Sequence, residues 1–355
     1  MAGWRAALEA FLLREWAGGS LAQVLLRPLS WLYRLALWLR TGRSAPHDGR
    51  LTTARAGLPV PLVVVGNLTV GGSGKTPCVI ALATALAARG WRPGIVSRGY
   101  GGRGAVEPVS DLSQADAVGD EPLLIARRTG LPVWVGRDRR AAAEGLLAAH
   151  PQVDVLLSDD GLQRADLPRD VEVVVVDARR GFGNRQLLPA GPLREPLSRL
   201  ARVDQIWVCG DGPLPDGLPA ARQTVRVTLA LGAAHALAAP ARVRAVAEFA
   251  GQPVVAVAGI AAPQRFFTML EAAGVSATAE PWPDHHPFTA ADLSHLRERS
   301  VLMTQKDAVK CESFAAADWW VVPLDAVIPA AAVEAVERGL RHQGVGPSPV
   351  RPSRP

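Results

Sequence analysis

The chain has 355 residues, of which 48% are hydrophobic, so it is long enough to form two domains with substantial cores. Lys and Arg residues number 39 and Asp and Glu residues 33, and the resulting formal charge of +6 favours acidic partners such as phosphates, nucleic acid or an anionic membrane. The three cysteines are scattered and odd in number, which argues against a disulfide framework or a zinc site and for a reducing compartment.

Residues 1–40 are predicted to form an N-terminal amphipathic basic segment. Residues 21–39 are strongly apolar, but two arginines and a proline interrupt them, so they fall short of the roughly 20 uncharged residues that a membrane span needs. At helical spacing the leucines share one face and the arginines another, with Trp31 and Trp38 between them. This pattern is typical of a helix that rests at the interface of an anionic membrane. A helix that packs on its own domain remains the alternative.

Residues 41–235 are predicted to form a P-loop kinase domain in which short strands alternate with helices. The predicted strands are residues 62–65, 94–97, 132–135, 153–157, 171–176 and 205–209. The predicted helices are residues 77–89, 121–129 and 137–150. Continuous apolar strands separated by helices indicate a parallel sheet that is covered on both faces. We therefore predict an α/β fold with a P-loop NTPase-like, doubly wound and mostly parallel sheet.

Residues 236–343 are predicted to form a smaller C-terminal α/β domain. Its predicted elements are strands at residues 253–258, 301–304 and 319–322 and a helix at residues 264–273. The Ala-rich residues 228–240 are predicted to act as a hinge, and residues 344–355 to form a disordered tail.

The stretch PLVVVGNLTVGGSGKTP at residues 61–77 predicts a phosphate-binding loop between a buried strand and a helix. Backbone N–H groups of such a loop converge on phosphate oxygens at the positive end of the helix. Lys75 is expected to reach the outer phosphates of ATP, and the hydroxyl of Thr76 to bind Mg²⁺. The predicted nucleotide-binding residues are Thr69, Val70, Gly71, Gly72, Ser73, Gly74, Lys75 and Thr76. Dimeric P-loop ATPases of the partitioning type carry a signature lysine where this chain has Val70. This difference weakens the assignment of the chain to that class of ATPases.

Two consecutive carboxylates, Asp159 and Asp160, follow the predicted strand at residues 153–157. Ligands bind at the carboxyl ends of the strands in open α/β sheets. Carboxylate oxygens are also the ligands that Mg²⁺ prefers. We therefore predict that Thr76, Asp159 and Asp160 form the metal site, with either carboxylate in direct contact. An acidic turn or helix cap remains the alternative.

Seven short motifs follow one another along the chain. They are GGSGKT (71–76), SRGYGG (97–102), VGDEP (118–122), SDDGLQ (158–163), RGFGN…LLPAGPLREP (180–196), DHHPF (284–288) and TQKDAVK (304–310). Together they resemble the tetraacyldisaccharide 4'-kinase family of lipid A biosynthesis. The resemblance covers about residues 10–340.

The resemblance implies a kinase that uses ATP and Mg²⁺. Its substrate would be a tetraacyldisaccharide 1-phosphate, an acylated disaccharide phosphate that is a lipid A precursor, and phosphorylation of the 4'-hydroxyl would give the 1,4'-bisphosphate lipid IVA. It further implies a peripheral protein on the cytoplasmic face of the inner membrane of a Gram-negative bacterium. No nucleic-acid partner is expected, because the sequence lacks a basic stripe with interleaved aromatic residues.

The resemblance also assigns roles to individual residues. Asp120 matches the family's base for the sugar hydroxyl, and His285 matches the histidine that supports it; with Lys75 they form the predicted catalytic set. The residues predicted to contact the substrate are Arg98, Tyr100, Glu121 and Gln163. Without the resemblance, Asp120 reads as an ordinary loop carboxylate and His285 as a surface or metal-binding histidine.

Only three of the 39 basic residues are lysines, which suggests that Lys75, Lys306 and Lys310 stand where the shape of the cation matters. Lys306 and Lys310 are expected either to bind phosphate or to pair with Asp307. The chain departs from the family's frequent residues at Arg164, Ala261, Ala262 and Gln305. These departures put details of nucleotide or substrate contact in question.

A second functional class explains part of the sequence. A membrane-associated P-loop nucleotide switch, acting through protein partners, would use the loop and the basic helix. It would give no role to Asp120 or His285.

Overall fold

The computed structural model describes residues 15–16, 21–41, 58–164, 167–220 and 222–341. The predicted tail at residues 344–355 lies outside these ranges, as do residues 42–57 at the start of the predicted kinase domain. Among the described residues, the strands form one sheet of nine strands and one of six.

The larger sheet is mostly parallel, as the sequence predicts. Its strands are β1 (Leu62–Gly66), β2 (Pro93–Ser97), β3 (Glu107–Val109), β4 (Val133–Val135), β5 (Val155–Asp159), β6 (Val171–Asp177), β7 (Gln205–Cys209), β8 (Gln223–Leu231) and β15 (Leu324–Val327). Their order is β15-β8-β7-β6-β1-β5-β2-β4-β3. The inner strands run parallel, whereas β3 and β15 pair antiparallel at the two edges.

Helices cover both faces of this sheet. The helices of the first 150 residues are α1 (Leu21–Thr41), α2 (Lys75–Ala88), α3 (Ala115–Val118), α4 (Asp120–Thr129) and α5 (Arg139–Ala149). Val63 and Val65 of β1 belong to the core that includes α2, whereas Leu62 and Val64 belong to the core that includes α5. This alternation buries all four side chains, and each contributes about 2 kcal/mol through the hydrophobic effect. Strand β1 is thereby fixed as the rigid base of the loop that follows it.

The smaller sheet contains β9 (Ala234–Ala236), β10 (Ala239–Arg244), β11 (Val254–Ala258), β12 (Ala277–Pro281), β13 (Ser300–Thr304) and β14 (Trp319–Val322). Its order is β10-β9-β14-β13-β11-β12, and β12, β11, β13 and β14 run parallel. Helices α6 (Pro263–Ala272) and α7 (Gln305–Cys311) belong to the same part of the chain. Most of the predicted hinge, residues 228–240, lies in strands instead, because residues 223–231 alternate between buried and exposed side chains.

The end of the described chain returns to the larger sheet. Strand β15 pairs with β8, and helix α8 (Ala330–Arg341) packs against α2. Glu337 of α8 accepts hydrogen bonds from Arg89 at 2.8 Å and from Trp91 at 3.0 Å. Residues 324–341 therefore differ in sheet membership from the predicted division, which places residues 236–343 together. The division into domains stays a prediction.

Candidate active site

The predicted phosphate-binding loop lies between β1 and α2. Gly71 and Gly74 adopt φ angles of 92° and 85°, a region that favours glycine, and α2 begins directly after Gly74. A Cβ on Gly71 would lie 2.7 Å from a guanidinium nitrogen of Arg180. Glycine is therefore favoured here by its backbone conformation, and at Gly71 a side chain would also displace the guanidinium of Arg180. The first N–H groups of α2 remain directed towards the loop, which is the geometry that binds anions.

Asn67 holds this loop in shape, and the sequence analysis did not single it out. Its Nδ2 donates to the carbonyl oxygen of Thr69 at 2.7 Å, and its Oδ1 accepts from Lys75 Nζ at 3.0 Å. Asn67 is fully buried at the end of β1. The only sequence signal was its place between the strand and the glycines.

Asp160 lies at the centre of a cluster of positive charges. Its carboxylate is 3.6 Å from Lys75 Nζ and 2.8 Å from a guanidinium nitrogen of Arg194, a second residue that the sequence analysis missed. Burial would raise the pKa of Asp160, but the charges of Lys75 and Arg194 hold it below its usual range. Asp160 is therefore ionised at neutral pH.

Asp159 is the last residue of β5. The strand therefore ends two residues later than predicted. Burial and the negative charges of Glu121 and Asp160 raise its pKa to about 7. Ser97 Oγ donates to one of its oxygens at 3.2 Å. In the described part of the chain, Oδ1 of Asp159 and Oδ1 of Asp160 are both buried without a hydrogen-bond partner, although Oδ1 of Asp160 lies 3.6 Å from Lys75 Nζ.

Oδ1 of Asp159 in particular fits a hard cation, since a buried carboxylate oxygen without a partner is costly unless something binds it. Within the described residues no group of three or more His, Cys, Asp or Glu residues could hold a metal by itself. Mg²⁺ at phosphate sites needs only one or two carboxylates, the rest being phosphate oxygens and water. The proposed set of Thr76, Asp159 and Asp160 stays a prediction that this geometry supports.

The structure brings Asp120 and His285 together from distant parts of the sequence. Asp120 opens α4 and is 3% exposed, and its Oδ2 lies 3.1 Å from His285 Nδ1. Asp120 Oδ1 accepts from the backbone N–H of Glu121 at 2.9 Å. Burial would raise the pKa of Asp120, but the hydrogen bond from His285 and the charge of Lys306 lower it, so the carboxylate is ionised at neutral pH.

His285 is held from several sides. Its φ of 58° is unusual for a residue other than glycine, and its ring centroid lies 4.9 Å from that of Tyr100. Burial alone would lower the pKa of His285, but its hydrogen bond with Asp120 raises it. Strained backbone of this kind is found mainly at functional sites.

The two C-terminal lysines have different partners. Lys306 lies 3.1 Å from Glu121 Oε1 and 3.2 Å from His285 Nε2. Lys310 pairs with Asp307 at 2.9 Å. Local pairing with Asp307 therefore describes Lys310, whereas Lys306 joins the Asp120–His285 cluster.

The other predicted substrate residues lie around the same edge of the sheet. Gln163 donates to the backbone oxygen of Asn67 at 3.1 Å, beneath the loop. Arg98 and Tyr100 are exposed after β2, and the ring of Tyr100 contacts that of His285 at an interplanar angle of 56°. Their contacts with substrate stay predictions.

The structure also shows the contacts of residues that depart from the family pattern. Gln305 accepts from Arg128 at 2.6 Å, and Arg164 donates to the carbonyl oxygen of Arg137 at 3.1 Å. A Cβ on Gly72 would meet Ala261 Cβ at 3.4 Å, so Ala261 faces the phosphate-binding loop. Nothing in the structure explains the change at Ala262.

Helix α1 packs through one stripe and exposes the rest of its apolar surface. Ser30 Oγ donates to the carbonyl oxygen of Leu187 at 2.9 Å, and Tyr33 donates to that of Arg194 at 3.0 Å. The exposed apolar residues of α1 are Val24, Leu25, Leu29, Trp31, Leu32, Leu35, Trp38 and Leu39. Among the described residues, no helix is long and apolar enough to cross a membrane.

Comparisons with known proteins agree on one family. The model of the family described as tetraacyldisaccharide-1-P 4'-kinase matches residues 22–341. The tetraacyldisaccharide 4'-kinase of Dechloromonas aromatica (strain RCB) is 47% identical over 348 residues, which cover 95% of this chain and 99% of that protein. The tetraacyldisaccharide 4'-kinase of Azoarcus sp. (strain BH72) is 50% identical over 330 residues, or 92% of this chain and 94% of that protein.

A solved structure has the same fold. It is a crystal structure of LpxK from Aquifex aeolicus in complex with ATP, with a TM-score of 0.76 and 25% sequence identity. The match covers 90% of this chain and 100% of that chain. The likeness therefore extends over both sheets.

Proposed function

The chain belongs to the tetraacyldisaccharide 4'-kinase family, and we propose that its site transfers the γ-phosphate of ATP to the 4'-hydroxyl of an acylated disaccharide 1-phosphate. The family expected from the seven sequence motifs is thereby confirmed. The reaction is a kinase reaction of lipid A biosynthesis. The observation that carries the proposal is that one edge of the sheet holds both a phosphate-binding loop and a buried Asp–His pair.

We propose that residues 69–76 and Lys75 in particular hold the triphosphate. Lys75 and Arg194 are both within 4 Å of Asp160, so positive charge is concentrated where the outer phosphates would lie. When bound through Thr76 and the Asp159–Asp160 pair, Mg²⁺ would neutralise charge that develops on the phosphate oxygens. The raised pKa of Asp159 fits a carboxylate that becomes fully ionised only when a cation is present.

Asp120 is proposed to accept the proton of the sugar hydroxyl. A hydroxyl is a poor nucleophile, and a positioned base assists its attack on phosphorus. Asp120 is ionised, buried and fixed by His285, as this role requires. The charge of Glu121 raises the pKa of Asp159, which supports the proposal that Asp120, the neighbour of Glu121, lies near the proposed metal site.

The nucleoside of ATP is proposed to lie on the other side of the loop, over β6, β7 and β8. In-line transfer puts the acceptor and the leaving ADP on opposite sides of the γ-phosphate. A small cavity is present there, and Gly74 of the loop adjoins its wall through Leu229. The residues that line this cavity include Arg179, Gly210, Leu229, Arg265, Thr268 and Met269.

Helix α1 is proposed to lie on the anionic inner membrane at its cytoplasmic face, where the lipid substrate is anchored. Its packed stripe contains Ser30 and Tyr33, while eight large apolar side chains, Trp31 and Trp38 among them, face outward. A surface patch of this kind marks an interaction site. Arginines on the same helix would add attraction to anionic lipid, worth about 1 kcal/mol each near the surface.

The test is transfer of labelled γ-phosphate to an acylated disaccharide 1-phosphate in detergent micelles. Lys75→Met should abolish transfer while circular dichroism shows an intact fold. Asp120→Asn should lower kcat by about 100-fold or more with little change in KM for ATP. ATP hydrolysis without lipid labelling by the unaltered protein would favour the nucleotide switch, which leaves the Asp120–His285 contact unexplained.

A further inference from the structure

Lys306 contacts His285 of the proposed Asp120–His285 pair and Glu121, the neighbour of Asp120 in the sequence. It is the second residue of α7, and its Nζ lies 3.2 Å from His285 Nε2 and 3.1 Å from Glu121 Oε1. Asp284 Oδ1 is 3.6 Å away. The side chain is 17% exposed, so these contacts are largely shielded from water.

These contacts determine which ring nitrogen of His285 carries the proton. A lysine ammonium can only donate hydrogen bonds, so His285 Nε2 must accept. The proton of the neutral ring then resides on Nδ1, which donates to Asp120 Oδ2 at 3.1 Å. The other tautomer would place two acceptors against each other at the Asp120 contact.

We propose that Lys306 is a positioning residue of the transfer reaction, which holds His285 in the Nδ1–H tautomer so that His285 holds Asp120 in place as the proton acceptor. The inference rests on the proposed roles of Asp120 and His285. Lys306 does not itself contact the reacting atoms; it acts through His285.

The residue type supports this inference. This chain uses Arg at all but three of its basic positions, and Lys306 is one of the exceptions. A compact ammonium can donate to a carboxylate and to a ring nitrogen within one small space, whereas a planar guanidinium spreads its donors over a wider fork. The charged and aromatic groups that face His285 and Asp120 from all sides are Tyr100, Glu121, Asp284, Lys306 and Lys310.

A direct test measures the tautomer without using activity. In protein labelled with ¹⁵N-histidine, the ring nitrogens of His285 are assigned by their loss in His285→Gln. The Nδ1–H form is expected in the unaltered protein. Lys306→Met should convert the ring to the protonated form near neutral pH, because Asp120 still accepts from Nδ1–H and Asp284 Oδ2, 3.8 Å from Nε2, is then the charged group nearest to that nitrogen. Retention of the Nδ1–H form in Lys306→Met would overturn the proposal.

Kinetic measurements provide the second test. The control variant removes another ion pair between α4 and the neighbourhood of α7. Arg127 of α4 and Glu312, just after α7, form an ion pair away from His285. Lys306→Met should lower kcat by about tenfold or more, with KM for ATP changed less than about twofold. Arg127→Met should leave kcat within about twofold. Equal losses in both variants would reduce Lys306 to a structural contact, and a loss confined to KM for ATP would make it a phosphate-binding residue instead.

The pH profile separates positioning from simple loss of structure. The charge of Lys306 lowers the pKa values of Asp120 and His285, so Lys306→Met should move the acidic limb of kcat/KM to higher pH by about one unit. An acidic limb that does not move would contradict the proposal.

Lys306→Gln, a polar variant, replaces Lys306→Met if circular dichroism shows that Lys306→Met is unfolded. If the unaltered protein labels no lipid, the proposed function fails, but the tautomer measurement still decides the contact.

Discussion

Two adjacent carboxylates at the site are driven to opposite protonation behaviour by their surroundings. Asp160 is paired with Lys75 and Arg194, which lower its pKa, whereas burial and neighbouring negative charges raise the pKa of Asp159 to about 7. Such separation of neighbouring groups is a property of functional sites. Asp160 is therefore a fixed negative charge beside Lys75 of the phosphate-binding loop, and Asp159 is the carboxylate whose ionisation most needs a cation.

The first prediction concerns stability rather than catalysis. Glu172 is buried and pairs with Arg169 at 2.7 Å and with Arg199. Glu172→Gln should lower the free energy of unfolding by about 3 kcal/mol at pH 7, because it leaves the partly buried guanidinium of Arg169 without a carboxylate and that of Arg199 with Glu195 alone. Urea denaturation measures this difference.

The same pair predicts a pH dependence. Burial would raise the pKa of Glu172, but Arg199 and Arg169 lower it below its ordinary 4.5. A carboxyl whose pKa is lower in the folded state contributes stability above its unfolded pKa and loses it as the pH falls through the folded value. The gap between the two proteins should therefore be full at pH 7 and shrink below about pH 4. A gap that stays constant down to pH 3 would contradict this account.

At the residue scale, the sequence predicted the groups that bear motifs and missed those that only packing brings in. Lys75, Asp120, Asp159 and His285 were all expected. Asn67 and Arg194 were not, since an asparagine after a strand and an arginine within a long motif have no role until the loop is folded around them.

At the scale of elements, α1 is unusual because the side of the helix that packs on the protein is more polar than the side that is exposed. Gln23 and Ser30 are buried, whereas Leu25 and Trp31 are 78% and 69% exposed. One expectation for this helix, packing on its own domain, therefore describes one face, and the proposed membrane contact would use the other face. Tyr33 on the packed stripe contacts the backbone of Arg194, so the helix adjoins the loop that supports Asp160.

The membrane role of α1 predicts a specific loss. Trp31→Glu combined with Trp38→Glu should lower the partition of the protein onto anionic phosphatidylglycerol vesicles by about tenfold or more, because it removes apolar contact and adds repulsive charge. Vesicle sedimentation measures the bound fraction. Leu112→Glu combined with Val243→Glu is the matched control, since these side chains are also exposed but lie outside α1. Equal binding by the two double variants would remove α1 from the membrane contact.

Elements were predictable where hydrophobic runs were continuous, and less so where alternation mattered. The central strands were expected within two residues of their observed ends. The end of β8 was taken for part of a hinge because Ala-rich residues follow it directly and outweighed its own period of two, and α8 was not expected at all. The local sequence pattern of β15 does not show which sheet the strand joins. It joins the larger sheet, whose other strands end almost a hundred residues earlier in the sequence.

At the scale of the whole molecule, the chain passes between the two sheets twice, once after β8 and once before β15. Ion pairs join the parts at several points: Asp177 with Arg265, Glu121 with Lys306, and Arg127 with Glu312. The residues proposed for catalysis come from both sides of this junction. A double connection restricts their relative motion more than a single hinge would, which suits a site whose base and supporting histidine are on different parts.

The last prediction tests where the nucleoside lies in this arrangement. Thr268 is exposed on α6 and lines the cavity over β6, β7 and β8, so Thr268→Trp should fill the cavity without disturbing the core. KM for ATP should rise by about tenfold, and kcat and KM for the lipid should stay within about twofold, because the acceptor lies on the other side of the γ-phosphate. Glu271→Trp places the same side chain at an exposed position of the same helix that does not line the cavity and serves as the control. If Thr268→Trp and Glu271→Trp bind ATP equally well, the nucleoside does not occupy this cavity, and the direction proposed for the triphosphate along the loop is wrong.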